Sequence, residues 1–447
     1  MNQSITLSSG DLDLAFATGG LLPIPSNELL GLPSQALIAL KDKKLLVGVG
    51  TDIGGHAKLA RLNEDGIRDR SYGQDGYAEI PMGTGRLPVK LVGALNGGSV
   101  VVGVTRKDPT SIREFSVVRH LEDGQLDSTF GKNGTVFINL QELLDPKNAL
   151  GIEIVIDRES LTAHDRLIDP AEILPAQQSD GKTLLACTYG THDTSYKSIL
   201  IRLKLNGELD ESFNGRGYVH VEVGTPKFKP QIVNAIAVQG DGKILACGTN
   251  GTEKSRGAFA VRYTEDGQID TSFGGSGTGI LPVTNDEATL TFSAMELLSA
   301  SNTAGGIVLV GDRLVLPGQI TDGIIAVLTA DGTFDKGFNG GSLLYTTLFD
   351  FGEKWSTCGV QRDQSGNAVA IIVSGPATTL EDDKFGMTIT ARYLLDGTLD
   401  TSFGAEGWVV YTEKPSAVVR ASVVTADNKI MLCSSHGSNA NLRRYLA

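Results

Sequence analysis

The chain has 447 residues, 40% of them hydrophobic, and a formal net charge of −13. That apolar fraction supplies a sizeable core and excludes wholesale disorder, while the charge and a pI near 5.0 argue against nucleic acid or an anionic membrane as the main partner. No apolar run reaches the length of a membrane span, and 55 glycines without a period of three indicate many tight turns, not collagen.

The chain opens with "MNQSITLSSGDLD", which has neither a basic n-region nor an apolar h-region. The expectation is no secretory signal and a cytoplasmic location by default, with non-classical export or a surface location left open. The next stretch, "SGDLDLAFATGGLLPIP", is the first copy of a phrase that returns throughout. Anchored on a glycine, it recurs at Gly10, Gly66, Gly124, Gly207, Gly267, Gly332 and Gly397. Three residues on stands Asp13, Asp69, Asp127, Asp210, Asp270, Asp335 and Asp400. Six on stands Phe16, Tyr72, Phe130, Phe213, Phe273, Phe338 and Phe403. Ten on stands Gly20, Gly76, Gly134, Gly217, Gly277 and Gly407, with Ser342 in the copy anchored on Gly332. Five before the anchor stands Arg61, Arg119, Arg202, Arg262 or Arg392, with Val327 as the outlier.

The intervals between anchors are 56, 58, 83, 60, 65 and 65 residues, and wrapping from Gly397 through the C-terminus to Gly10 gives 60. The last repeat stops at "NLRRYLA", and its missing piece stands at the N-terminus. A closed ring has a reason to divide one repeat between its two ends; an open solenoid has none. Each period holds four apolar, β-branched runs: "NAIAVQ", "KILACG", "AFAVRYT" and "TGILPV" in the copy around Gly267. Four strands per period, closed radially, predict an all-β, seven-bladed β-propeller with four antiparallel strands per blade. Residues from Gly20 to Pro25 should complete the blade formed by the last strands, between about Val418 and Leu446.

The phrase itself lies where the third strand turns back into the fourth. Its Asp is expected to accept amides two or three residues on, its aromatic to pack between blades, and its Arg to pair with an Asp. "EDGQID" also resembles half of an integrin-type calcium loop, but Arg262 and Tyr263 stand near the positions of the missing carboxylates. Calcium takes six to eight oxygens, so the phrase reads as a blade-building turn and no cofactor is expected.

The unit of hydrophobic strand, "DGK", strand and "RY–DGxLDxSFGxxG" resembles the delta-60 repeat family of bacterial proteins and is distantly similar to NHL-type propellers. The resemblance covers essentially the whole chain. It implies a propeller of bacterial surface or secreted character and brings no catalytic residue with it.

Two intervals contain additional sequence, from Asn139 to Pro170 and from 284 to 305. "GIEIVID" and "LTAHDRLI" of the first are expected to pair as a hairpin above the ring. The loop "YGTHDTSYK" stands beside it in the same blade, with "GTPKFKPQ" leading into the following one. Together they would gather Asp165, Arg166, His192, Asp193, Tyr196, Lys227 and Lys229 into a mixed-charge rim of the kind binding faces use. Trp355, in the variable "FDFGEKWST", is read either as a further contact or as a cap on a blade edge, and Trp408 as core. The six histidines show no HxH or HExxH, and the four cysteines no CxxC, so the latter are read as buried thiols. Propeller lactonases place carboxylates on their innermost strands. The runs assigned here as innermost, "QALIAL", "KLVGAL", "AIAVQ", "IVLVG" and "CGVQR", have no Asp, Glu or His. The expectation is a non-enzymatic scaffold that contacts a protein or glycan through its variable face. The alternatives are a hydrolase or lactonase with its site among the insertions, and a structural surface protein.

Overall fold

The computed structural model describes residues 7–447 except 51–56, 82–86, 95–96, 105–113, 148–151, 155–172, 192–195, 225–230, 253–254, 299–304, 316–319, 350–351, 378–386, 413–417 and 437–438. Seven antiparallel sheets stand around a central channel. Blade 1 runs outward through Leu32–Ala39, Leu45–Gly50, Lys58–Leu62 and Tyr77–Glu79. Blades 2 to 6 repeat this order, with inner strands Leu87–Gly93, Leu174–Gln177, Gln231–Val238, Ala288–Leu297 and Thr357–Arg362. Blade 7 takes three strands from the C-terminus, Val418–Val424, Ile430–His436 and Asn439–Tyr445, and its outer strand, Leu21–Ile24, from the N-terminus. Inner strands of successive blades touch around the whole ring, blade 7 against blade 1 included.

Alternating strand residues face the two neighbouring blades, so each seam has its own apolar cluster. The closing seam packs Phe16, Leu22, Ile24, Met431 and Leu442 against Leu45, Val47 and Ala60. Leu22 pairs with Leu442 and Ile24 with Ala440. The sheet edge that blade 7 would otherwise present is thereby removed.

Each repeated turn fastens one blade to the next. All seven anchor glycines have φ between +82° and +91°, a region that disfavours any Cβ. The amide that follows the aromatic donates to a carbonyl in the next blade's turn: Ala17 to Asp65, Gly73 to Asp123, Gly131 to Asn206, Asn214 to Asp266, Gly274 to Asp331, Asn339 to Asp396 and Gly404 to Ser9, at 2.7–2.9 Å. These bonds form a closed circuit. Within six turns an Arg Nε reaches the turn Asp at 2.7–2.8 Å: Arg61–Asp69, Arg119–Asp127, Arg202–Asp210, Arg262–Asp270, Arg392–Asp400 and Arg444–Asp13. Each guanidinium also lies over its own blade's aromatic ring, 4.5–5.2 Å from the centroid. Arg61, Arg202, Arg262 and Arg444 extend Nη1 to a carbonyl of the following blade, at Glu122, Glu265, Ala330 and Glu64. The other oxygen of the Asp accepts the amide two residues on, as Asp270 Oδ1 does from Ser272 at 3.1 Å. Both oxygens of these carboxylates thus meet donors, which is what a structural clasp requires.

Three sequence assignments shift. In blade 4 the carbonyl that accepts from the clasp Arg belongs to Gly279, not Gly277, because "GGSGTG" is two residues longer than its counterparts. The stretch 284–305 is mainly the inner strand Ala288–Leu297 of blade 5, and "IVLVG" belongs to that blade's second strand, Ile307–Val315. The innermost strands therefore do carry a carboxylate, Glu296.

Candidate functional site

The turns between first and second strands and the repeated turns share one face. The connections from second to third strand and from blade to blade lie on the other. On this variable face the described ends of three non-repeating segments are fastened at or beside blade 3. The first follows blade 2, where Asn139 caps the short helix Leu140–Leu144 by accepting from the Gln141 and Glu142 amides. Gln141 Oε1 accepts the Ile152 amide at 3.0 Å, and Leu140, Ile152 and Ile173 are buried in the seam between blades 2 and 3. Glu153–Ile154 then pairs with Tyr189–Gly190, extending blade 3 beyond its four-residue inner strand. The "GIEIVID" half of the expected hairpin is therefore paired to the blade; "LTAHDRLI" lies outside the described residues.

The second segment follows Gly190, which pairs with Tyr196. The third spans 223–231 and is closed at its base by Gln231, which accepts the Val223 amide at 3.4 Å and donates to the Val223 carbonyl at 3.3 Å. Ser198 Oγ donates to the Gln231 carbonyl at 2.9 Å and ties this turn to blade 3.

Beneath these segments lies a Tyr–His pair that sequence reasoning did not single out. The Tyr189 hydroxyl meets His220 Nδ1 at 3.2 Å, and the Tyr218 ring stands edge-on to the imidazole at 5.8 Å. Burial lowers the His220 pKa from its ordinary value, against the opposing pull of Glu222. Burial likewise raises the Tyr189 hydroxyl. The shift favours the neutral imidazole, which can donate or accept a hydrogen bond.

Of the residues singled out in the sequence, Asp165, Arg166, His192, Asp193, Lys227 and Lys229 lie outside the described residues. Tyr196 is 8% exposed, so it supports the site from below. Trp355 is corrected: it is fully buried between blades 5 and 6, with its indole N–H donating to Thr346 Oγ1 at 2.9 Å. Gly323 makes the room, since a Cβ there would lie 2.1 Å from Trp355 Nε1.

A second titratable group stands at the inner wall of the ring. Burial pushes the Glu296 carboxyl up to about 6, opposed by the charge of Arg362. Arg362 itself bridges blades 6 and 5, donating to the carbonyls of Leu298 at 2.6 Å and Leu297 at 2.9 Å. Among the described residues no group of three or more His, Cys, Asp or Glu could hold a metal. Among the described residues neither place combines a nucleophile, a base and an orienting group.

The family profile described as "Domain of unknown function (DUF5122) beta-propeller" matches residues 178–213 and 239–273, the repeats of blades 3 and 4. No curated protein matches the chain. Solved structures align with the chain over most of its length at low identity. The extracellular domains 1–2 of Drosophila Semaphorin 1a are 9% identical, with 95% of this chain and 87% of that one covered and a TM-score of 0.46. A PL25 ulvan lyase is 10% identical, with 93% of each chain covered and a TM-score of 0.44. A glucose dehydrogenase is 10% identical, with 91% of this chain and 95% of that one covered and a TM-score of 0.37. The chain thus contains repeats similar to a family described as a β-propeller domain of unknown function.

Proposed function

We propose that the protein is a non-enzymatic binding scaffold that contacts a protein or glycan through the variable face at the end of blade 3. The observation that carries this reading is that three non-repeating segments have their described ends fastened at or beside blade 3: Gln141 to Ile152, Gly190 to Tyr196, and Gln231 to Val223. Rigid bases under variable loops are the arrangement in which binding surfaces are commonly built. The charge of −13 disfavours nucleic acid as the partner. Among the described residues no helix is long and apolar enough to cross a membrane. The finer assignment of the repeat to the bacterial delta-60 type, and the reading of the turns as metal-free, belong to the same proposal.

The test replaces residues 155–171 with a short Gly/Ser linker, which spares buried Ile152 and Ile173. Such a surface segment closes at modest entropic cost, so the melting curve should be retained. Parent and trimmed protein are compared on a glycan array and a panel of purified proteins. Binding by the parent that the trimmed protein loses supports the reading; equal binding by both places the site elsewhere.

A further inference from the structure

The outer strand of blade 3, Tyr218–Val221, differs from its counterparts. Tyr218 and His220 face blade 2 together with Tyr189, while Val219 and Val221 face blade 4. Strand pairing fixes the position equivalent to His220 in the other blades, and it holds Glu79, Phe137, Pro282, Tyr345, Val410 and Pro23. The sheet therefore does not require a histidine there. In blade 5 the positions of Tyr189, Lys197 and His220 hold Arg313, Asp322 and Tyr345, which satisfy one another. Arg313 Nε donates to Asp322 at 2.8 Å, and the guanidinium lies 4.3 Å from the Tyr345 ring centroid. In blade 3 the same set is left open.

The tautomer of His220 follows from burial. Tyr189 is 3% exposed, and its hydroxyl has His220 Nδ1 as its partner. A buried phenol left without an acceptor is costly, so Nδ1 accepts and the proton of the neutral ring lies on Nε2. No described residue accepts from Nε2. Around this donor Lys197, Arg216 and Glu222 are exposed, and the charges of all three act on the imidazole. Arg216 reaches along the strand, its guanidinium 5.3 Å from the Tyr218 ring centroid. Among the described residues neither cation forms an ion pair, whereas the hairpin lysines Lys44, Lys182, Lys243 and Lys429 each meet a clasp Asp. From Arg216 to Glu222 the row follows about 20 Å of extended chain, room for several sugar units.

We propose that this row is a subsite for a carboxylate-bearing saccharide. Lys197 and Arg216 meet the acid groups, His220 Nε2–H and Glu222 take sugar hydroxyls, and Tyr218 offers its ring to a sugar face. Two unpaired cations beside one carboxylate, in a chain of net charge −13, favour an anionic sugar over a neutral one. A protein partner fits less well, because apart from Tyr218 the row has no apolar anchor of the kind protein interfaces centre on. The inference rests on the reading of blade 3 as the binding site and names the ligand class.

The probes are tetragalacturonate and its methyl ester, titrated calorimetrically. The site variant is K197Q/R216Q, and the control K41Q/K132Q removes two exposed lysines from the repeat-bearing face. Thermal melts confirm that both are folded. The parent should bind the acid, with the ester and the site variant each weaker by about tenfold or more and the control within about twofold. An ester that binds as tightly as the acid, equal loss in the two variants, or no binding by the parent overturns the inference. If the parent binds no tetragalacturonate but holds another partner that trimming residues 155–171 abolishes, this subsite is refuted while the broader reading of blade 3 stands.

Discussion

Blades 4 and 5 make the same turn with and without its arginine. In blade 4, Arg262 binds Asp270, lies over Phe273, and reaches the Ala330 carbonyl of blade 5. In blade 5, Val327 replaces the Arg and Gly337 the Ser, so Asp335 accepts only a local bond from the Gly337 amide at 2.8 Å. Phe338 nevertheless stays buried, and Asn339 still donates to Asp396 across the seam. What every repeat retains is the glycine turn, the buried aromatic and the backbone bond. The cation across the seam is replaceable: between blades 5 and 6, Arg362 supplies it from the other side, to Leu297 and Leu298.

The largest expected effect comes from breaking the circuit altogether. Deleting residues 1–25 removes the outer strand of blade 7, the Asp13 partner of Arg444, and buried Phe16, Leu22 and Ile24. Leu22 and Ile24 alone contribute roughly 1.5–3 kcal/mol each as an upper estimate. Calorimetry and light scattering should show a lower melting temperature and concentration-dependent association, whereas an unchanged melt would mean the ring closes without the N-terminus.

Next comes the shared aromatic. Phe273→Ala and Phe338→Ala should each cost about 3–5 kcal/mol in denaturant unfolding, through a seam cavity. A clear disparity between them would show that the aromatic depends on the Arg above it. The two aspartates should then diverge. Asp270→Ala leaves Arg262, 4% exposed, without its counter-ion and should cost about 2–4 kcal/mol. Asp335→Ala should stay within about 0.5 kcal/mol. Equal costs would remove the distinction between clasped and unclasped blades.

Acid should weaken the clasp of blade 4. Burial alone would raise the Asp270 carboxyl, but bonds from Ser272 and the charges of Arg262 and Lys243 outweigh it and hold it down to about 2, below an ordinary value of 3.8. A carboxyl whose folded pKa is depressed stabilises the fold above its unfolded pKa. That contribution is lost as pH falls from about 4 to about 2. Stability measured across this window should fall less steeply in Asp270→Ala than in the parent. The smallest effect should be that of a calcium chelator, which should leave the parent's melting temperature unmoved; a drop would assign metal to the turns.

The architecture was legible because its constraints repeat at fixed spacing. An Arg eight residues before an Asp can only pair with it if the strand turns back, and six of the seven copies preserve that spacing or its wrapped equivalent, Arg444 with Asp13. Legibility failed where the pattern lapsed. Blade 5 has no Asp-Gly hairpin after its inner strand, so Ala288–Leu297 read as an insertion and Glu296 went unnoticed. Trp355 could not be decided between surface contact and blade-edge cap from its sequence, because the space that buries it is made by Gly323, 32 residues earlier in the chain. Tyr189 and His220 sit on strands that flank a third, in a register that no local motif records.

The central claim is that the repeated phrase is a clasp in which Arg and Asp act as one unit. A double-mutant cycle in blade 4, with Arg262→Met, Asp270→Asn and the pair, tests it most directly through denaturant unfolding. The account predicts a coupling energy of about 1.5 kcal/mol or more, because the second substitution removes a partner already lost. A coupling near zero would mean that the two side chains stabilise the ring independently, and the clasp would be contradicted.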